Sequence, residues 1–438
     1  GRRVLLAGVG WPAELTEANA HEIGGAVAAH LAAELEPEAA ALVDPLKGAR
    51  LDDADLAVNF ALGARLRAYR FAKYQTRLRE DEPGPFNGLS LVLAKAGKAG
   101  KRMPRWSALA EGVCLARDLT NEPPNVLYPE SFVEQAKALE DLGVAVEALD
   151  EGARRELGMN ALLAVATGAA RPPRLLVLRW SGAGKRVGAR KASGPVALVG
   201  KGVCFDSGGL CLKPPKHQID MKGDMAGGAA VVGAIAALAR RKAKIDVVGV
   251  VALVENMPSG QAYRTGDIAR TMSGRTIEVV DTDAEGRMVL VDALWYAATR
   301  FKPRCIVDLA TLTYSVVAAV GKVFAGILAN DDKLARQLAV AGETTGERLW
   351  RLPLDDAYDK HLGVDRRRLP TPRPGRRGRR CRAWRDVAQA LRRWLPWAHL
   401  DIAGKEFTDK DTPLAPVGST GYGVALVERF VAETEGIG

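Results

Sequence analysis

From about residue 120 the chain alternates short, almost wholly apolar runs with longer stretches of helical periodicity. That alternation limits the fold more than any other feature. "VALVG" (196–200), "IDVVGVVALVE" (245–255), "TIEVVD" (276–281), "CIVDLA" (305–310) and "AHLDIAG" (398–404) read as strands. "AGGAAVVGAIAALARRKA" (226–243) and "AEGRMVLVDALWYAATRF" (284–301) read as helices, the second with Met288, Val291, Leu294 and Trp295 on one face. Strands without polar alternation are buried on both faces, which requires helices on each side of the sheet. The expected class is therefore α/β, with a mixed, mostly parallel central sheet flanked by helices in a large domain at 121–438. Residues 1–103 mix short apolar runs with Ala/Glu-rich helical stretches and read as a small α/β domain, joined by a linker helix at 104–120. The Pro and Asn residues of "LTNEPPNVLYPESF" end that helix.

In sheets of this kind the chemistry sits at the carboxyl ends of the strands. Those ends are rich in charge here. "GKGVCFDSGG" presents Lys201 and Asp206, "LCLKPP" presents Lys213, and "IDMKGDMAGG" presents Asp220 and Asp224. "DTDAEGR" adds Asp281, Asp283, Glu285 and Arg287. Carboxylates gathered at one buried edge repel, and their pKa values rise unless cations compensate. Two divalent metals would supply that compensation, and carboxylate-rich ligation suits Mn²⁺, Mg²⁺ or Zn²⁺. An acidic surface loop would show the same residues, so spacing alone leaves both readings open.

Other chemistries are easier to set aside. The five cysteines include no CxxC, and the five histidines form no HExxH. A disulfide framework, a zinc knuckle and that type of zinc hydrolase are thus unsupported, and a reducing, cytoplasmic setting is expected. Ser207 sits in "DSGG" without a GxSxG elbow and reads as a turn residue. No apolar run approaches the ~18 residues of a membrane span, and "GRRVLLAGVG" is too short for a signal segment. The net charge of +10 hints at nucleic acid, but residues 366–393 alone carry 12 Arg against one acid, Asp386. Removing that +11 leaves 10 − 11 = −1 for the remainder. The basic balance therefore belongs to one segment.

Taken in order, "RDLTNEPPNVLYPESF", "VGKGVCFDSGG", "DMKGDMAGGAAV", "ENMPSG", "TDAEGRMVLVDAL", "ATLT" and "PWAHLDIAG" resemble the leucyl aminopeptidase (M17 cytosol aminopeptidase) family. The resemblance covers roughly residues 105–360 and 394–430. It implies a metal-dependent exopeptidase that releases N-terminal residues, with leucine-type preference, from peptides. It implies two divalent ions per subunit, Zn²⁺ and/or Mn²⁺, held by Lys201, Asp206, Asp224, Asp283 and Glu285, with Asp206 and Glu285 shared between them. A ligating lysine must be neutral, which a neighbouring dication favours. Lys213 corresponds to the family's catalytic lysine, which stabilises the tetrahedral intermediate. Arg287 corresponds to the arginine that holds a bicarbonate ion as proton acceptor. Met221, Asp281, Thr311 and Leu312, with Asn256 and Gly260 of "ENMPSG", correspond to residues that shape the substrate pocket. A cytoplasmic homohexamer, with no membrane association, is implied as well.

The chain departs from the family at Asp281, where Asn is usual, at Tyr314, where Gly is usual, and at Cys211, where Ser is usual. The largest departure is residues 363–393, "GVDRRRLPTPRPGRRGRRCRAWRDVAQALRR", which stand in place of a Gly/Ala-rich turn and helix. Three readings fit this stretch. It is a basic loop and helix, with Trp384, Val387, Ala388, Leu391 and Trp394 at helical spacing; or a nucleic-acid-binding element with Arg–phosphate contacts; or the product of a compensated reading-frame slip. The alternative function is accordingly a nucleic-acid-binding or catalytically impaired homologue of the family.

Overall fold

The computed structural model describes residues 3–77, 84–184, 194–355 and 395–436. The basic segment 363–393, and with it the nucleic-acid and frame-slip readings, lies outside them.

In the N-terminal domain, helices Glu17–Ala33 and Asp53–Arg67 pack together beside a parallel pair of strands, β1 (Glu38–Leu42) and β2 (Gly88–Val92). Thr16 caps the first helix through a reciprocal bond with Asn19. Leu15, Ala20, Val43, Leu56 and Ala57 form the apolar cluster beneath.

The larger domain is built on an eight-stranded sheet. In chain order its strands are β3 (Ala145–Leu149), β4 (Arg174–Ser181), β5 (Val196–Asp206) and β6 (Asp246–Asn256). A separate antiparallel hairpin, β7 (Ile268–Arg270) and β8 (Thr276–Glu278), follows. The sheet resumes with β9 (Cys305–Ala310), β10 (Ala325–Ala329), β11 (Leu349–Arg351) and β12 (Trp397–Asp401). Its spatial order is β11-β10-β12-β9-β5-β6-β4-β3, and the four central strands β12, β9, β5 and β6 are mutually parallel. Along β5, Val196 and Leu198 enter one core with helix Ala226–Arg240, while Ala197, Val199 and Val203 enter the other with helix Glu285–Phe301. Burial of both faces explains why these strands carry no polar alternation.

"TIEVVD" departs from expectation. It forms a three-residue strand of a small hairpin rather than a strand of the main sheet. Only Val279 of its Val-Val pair is buried, Val280 being 54% exposed, so one face alone can pack. Helical residues 215–240 are long and apolar enough to cross a membrane, but 94% of their apolar window is buried, as in a core helix.

Helix Ala96–Asn121 ties the two domains together. Arg117, fully buried on it, donates to the carbonyls of Leu66 (2.6 Å), Thr420 (2.9 Å) and Leu414 (3.0 Å). The same helix crosses Ala226–Arg240 where two glycines meet: a Cβ on Gly112 would lie 2.4 Å from the Gly233 carbonyl oxygen. Gly112→Val must push these helices apart. It is expected to cost about 1–3 kcal/mol, measured as a lowered urea midpoint; an unchanged midpoint would show that this crossing is not tight.

Candidate functional site

Four strand ends build one cleft. Strand β5 pairs with β9 only as far as Gly200 but with β6 as far as Asp206, so its last six residues run on past the pairing with β9. Lys201 is therefore within the strand, not beyond it. It is 2% exposed, and its Nζ lies 2.7 Å from Asp224 Oδ1 and 2.7 Å from Glu285 Oε1, while donating to the Thr311 carbonyl at 3.0 Å. Asp224 comes from the turn that opens helix Ala226–Arg240, and Glu285 is the first residue of helix Glu285–Phe301, where the helix dipole favours an anion.

Lys213 makes a second ion pair alongside. Its Nζ is 2.8 Å from Asp206 Oδ2 and also pairs with Asp283. The loop that carries it turns at Gly208, whose φ of +88° suits glycine, and where a Cβ would stand 2.9 Å from Asp283 Oδ1. The carboxylate oxygens of Asp206, Asp283 and Glu285 lie within 4.8 Å of one another.

Lys201, Asp206, Lys213, Asp224, Asp283, Glu285 and Arg287 all line a cleft of about 590 Å³. So do Met221, Asp281, Thr311 and Leu312. Two residues expected at the pocket lie elsewhere. Asn256 is wholly buried beneath Asp206, donating to Asp206 Oδ1 at 2.8 Å and to the Thr282 carbonyl at 2.9 Å. Gly260 lines a different cavity, with Tyr263 and Arg264. Asp281 accepts the backbone N–H of Asp283 at 3.1 Å, which holds the acidic turn in shape. Ser207 Oγ donates to the Asn256 carbonyl at 2.7 Å and is buried, as a turn residue would be.

Two supports lie inside quoted motifs, but their roles show only in the fold. Thr282 links both halves of the site: its hydroxyl donates to the Gly208 carbonyl (2.7 Å) and accepts from Cys211 N (2.8 Å), while its own carbonyl accepts from Tyr263 (2.6 Å). Asp401, at the end of β12, accepts from Leu312 N (3.0 Å) and the Thr313 hydroxyl (2.8 Å) and so shapes the loop after β9. Tyr314, Ala403 and Glu406 also line the cleft.

The electrostatics fit a cation-binding centre. Among the described residues, the four carboxylates Asp206, Asp224, Asp283 and Glu285 gather around two ammonium groups, Lys201 and Lys213. Burial, opposed by Lys213 and reinforced by Asp206 and Glu285, pushes the Asp283 carboxyl up to about 7. Burial likewise raises Asp206 and Asp224. Asp224 Oδ2 is buried without a hydrogen-bond partner among the described residues, an expensive arrangement that a bound cation would relieve. Lys201 is opposed by burial, but Asp224, Glu285 and Asp206 outweigh it and hold the ammonium above its ordinary pKa.

Residues 114–428 match the catalytic domain of the cytosol aminopeptidase family, and residues 2–78 match its N-terminal domain. The chain belongs to the cytosol aminopeptidase family. As a member it is a peptidase of the hydrolase class. It is 46% identical over 433 residues to a "Probable cytosol aminopeptidase" of Bradyrhizobium sp. (strain BTAi1 / ATCC BAA-1182), covering 98% of this chain and 84% of that one. A "Probable cytosol aminopeptidase" of Chelativorans sp. (strain BNC1) is 47% identical, with 98% and 85% covered. Among solved structures, the bottromycin maturation enzyme BotP in complex with Mn superposes with a TM-score of 0.84 at 31% identity, covering 98% of this chain and 90% of that one.

Proposed function

We propose that the chain is a two-metal aminopeptidase that removes N-terminal residues, leucine among them, from peptides. The carrying observation is the convergence of Lys201 with the four carboxylates Asp206, Asp224, Asp283 and Glu285 on one cleft. These five would hold two divalent ions, Zn²⁺ and/or Mn²⁺. When bound, such a pair polarises the scissile carbonyl and activates water for attack. A dication also favours the neutral form of Lys201 that ligation needs. The Mn complex of BotP and the family match support divalent metal as the cofactor.

The chain's own residues supply the rest. Lys213 is opposed by burial, yet Asp206, Glu285 and Asp283 keep it protonated, so it can offer an ammonium to a developing oxyanion. Arg287, on the cleft wall, is the residue to hold a bicarbonate ion as proton acceptor. Met221, Leu312 and Ala403 give an apolar wall for a leucine-type side chain. Helix Ala96–Asn121 serves as the junction between the domains, and we infer a cytoplasmic homohexamer from family membership.

An acidic centre of this kind selects a free α-amine. The metal-loaded protein is expected to hydrolyse Leu-Gly-Gly and to leave N-acetyl-Leu-Gly-Gly at least about a hundredfold slower. Equal cleavage of the two peptides would overturn the exopeptidase reading.

A further inference from the structure

Among the described residues, three cleft carboxylates, Asp220, Asp281 and Glu406, pair with neither site lysine, and of these Glu406 alone has a buried oxygen without a partner. Glu406 lies just past β12, on the wall formed by Ala403 and Tyr314. Its Oε2 is buried and has no hydrogen-bond partner among the described residues. Lys405, next to it in sequence, sends its Nζ to the Lys322 carbonyl instead. Burial holds the Glu406 carboxyl above the usual range; the backbone amides of residues 404–406 oppose this, and Asp401 adds a charge of the same sign. Among the described residues Glu406 makes no ion pair, and a carboxylate oxygen buried without a partner is costly.

The space around Glu406 suits one kind of partner. Tyr314 opens helix Tyr314–Val320, is 57% exposed, and leans towards His217 with ring centroids 6.3 Å apart. Asp220 lines the same cleft, as do the apolar Met221, Leu312 and Ala403. A long side chain with an aliphatic stem and a cationic end satisfies both surfaces, the stem along the apolar wall and the charge at the carboxylate.

We propose that Glu406, with Tyr314 beside it and Asp220 in the same cleft, forms a side-chain subsite for a cationic N-terminal residue, so that peptides beginning with Lys or Arg are preferred over those beginning with Leu. This rests on the aminopeptidase reading and narrows its substrate class. The stem of Lys or Arg uses the wall that would hold leucine, and the cation adds a charge-assisted hydrogen bond that leucine cannot make.

The test compares lysyl- and norleucyl-p-nitroanilide on the Mn²⁺-loaded protein, since norleucine matches the lysine stem and lacks its ammonium. The lysyl substrate is expected to have a kcat/KM at least about tenfold higher, and Glu406→Gln is expected to bring the ratio close to one. Turnover of the norleucyl substrate without a lysine advantage overturns the subsite alone, as does a Glu406→Gln protein that keeps the advantage. The wild-type comparison decides the matter even if the variant does not fold. Turnover of neither substrate overturns the subsite and the aminopeptidase reading together.

Discussion

Replacing Glu285 with Gln is expected to strip the site of most of its divalent metal and to lower kcat/KM for leucyl-p-nitroanilide about a thousandfold. That is roughly 4 kcal/mol of transition-state stabilisation. Glu285 is 2% exposed, sits at the first position of its helix, and shares the carboxylate triangle with Asp206 and Asp283. Burial works against its charge, but Lys201 and Lys213 overcome this and hold the carboxyl below its usual range, so it is an anion ready for a cation. Gln has the same shape and can still meet Lys201, which separates loss of charge from loss of packing. Metal content and rate are to be measured on the same preparation, with circular dichroism to confirm the fold. Full metal content with unchanged turnover would remove Glu285 from the centre.

Lys213→Met should behave differently. Metal is expected to stay while kcat falls about 10²–10³-fold, the usual cost of losing one preorganised donor to an oxyanion, with little change in KM. The geometry gives the reason. Lys213 is one of two ammonium groups in the cluster, but it lies at the rim, 12% exposed, paired with Asp206 and Asp283. Lys201 is deeper and touches Asp224, Glu285 and the Thr311 carbonyl. A Lys213→Met protein with full kcat would make this lysine a counter-ion only. Loss of metal in that protein would make it part of the metal-binding structure instead of a catalytic group.

These two predictions concern residues that the sequence itself displays. Apolar runs such as "VALVG" and "CIVDLA" betray a sheet covered on both faces because hydrophobic burial leaves no polar alternation. The acidic residues then follow from where such strands end. "TIEVVD" misleads because the apolar character of two valines does not reveal that only one of them is covered. The continued pairing of β5 with β6, which puts Lys201 inside a strand, depends on a neighbour about fifty residues away. The roles of the supporting groups are hidden for the same reason, although their motifs are visible. Thr282 joins Gly208 and Tyr263, and Asp401 holds the backbone of Leu312, across separations that no local pattern encodes. The family resemblance assigns Asn256 to the pocket, yet the structure turns it inward to hold Asp206. Glu406 carries no local signal at all; its place in the cleft emerges only when β12 is laid beside β9.

The central claim is that this acidic cleft works by holding divalent metal. The most direct measurement is metal content, read by elemental analysis, alongside hydrolysis of leucyl-p-nitroanilide as the protein is stripped with chelator and reloaded with Mn²⁺ or Zn²⁺. The account predicts up to two ions per chain, negligible turnover without them, and turnover that returns as the sites fill. Turnover that persists in fully stripped protein, or ions that bind without being abolished by Glu285→Gln, would contradict it.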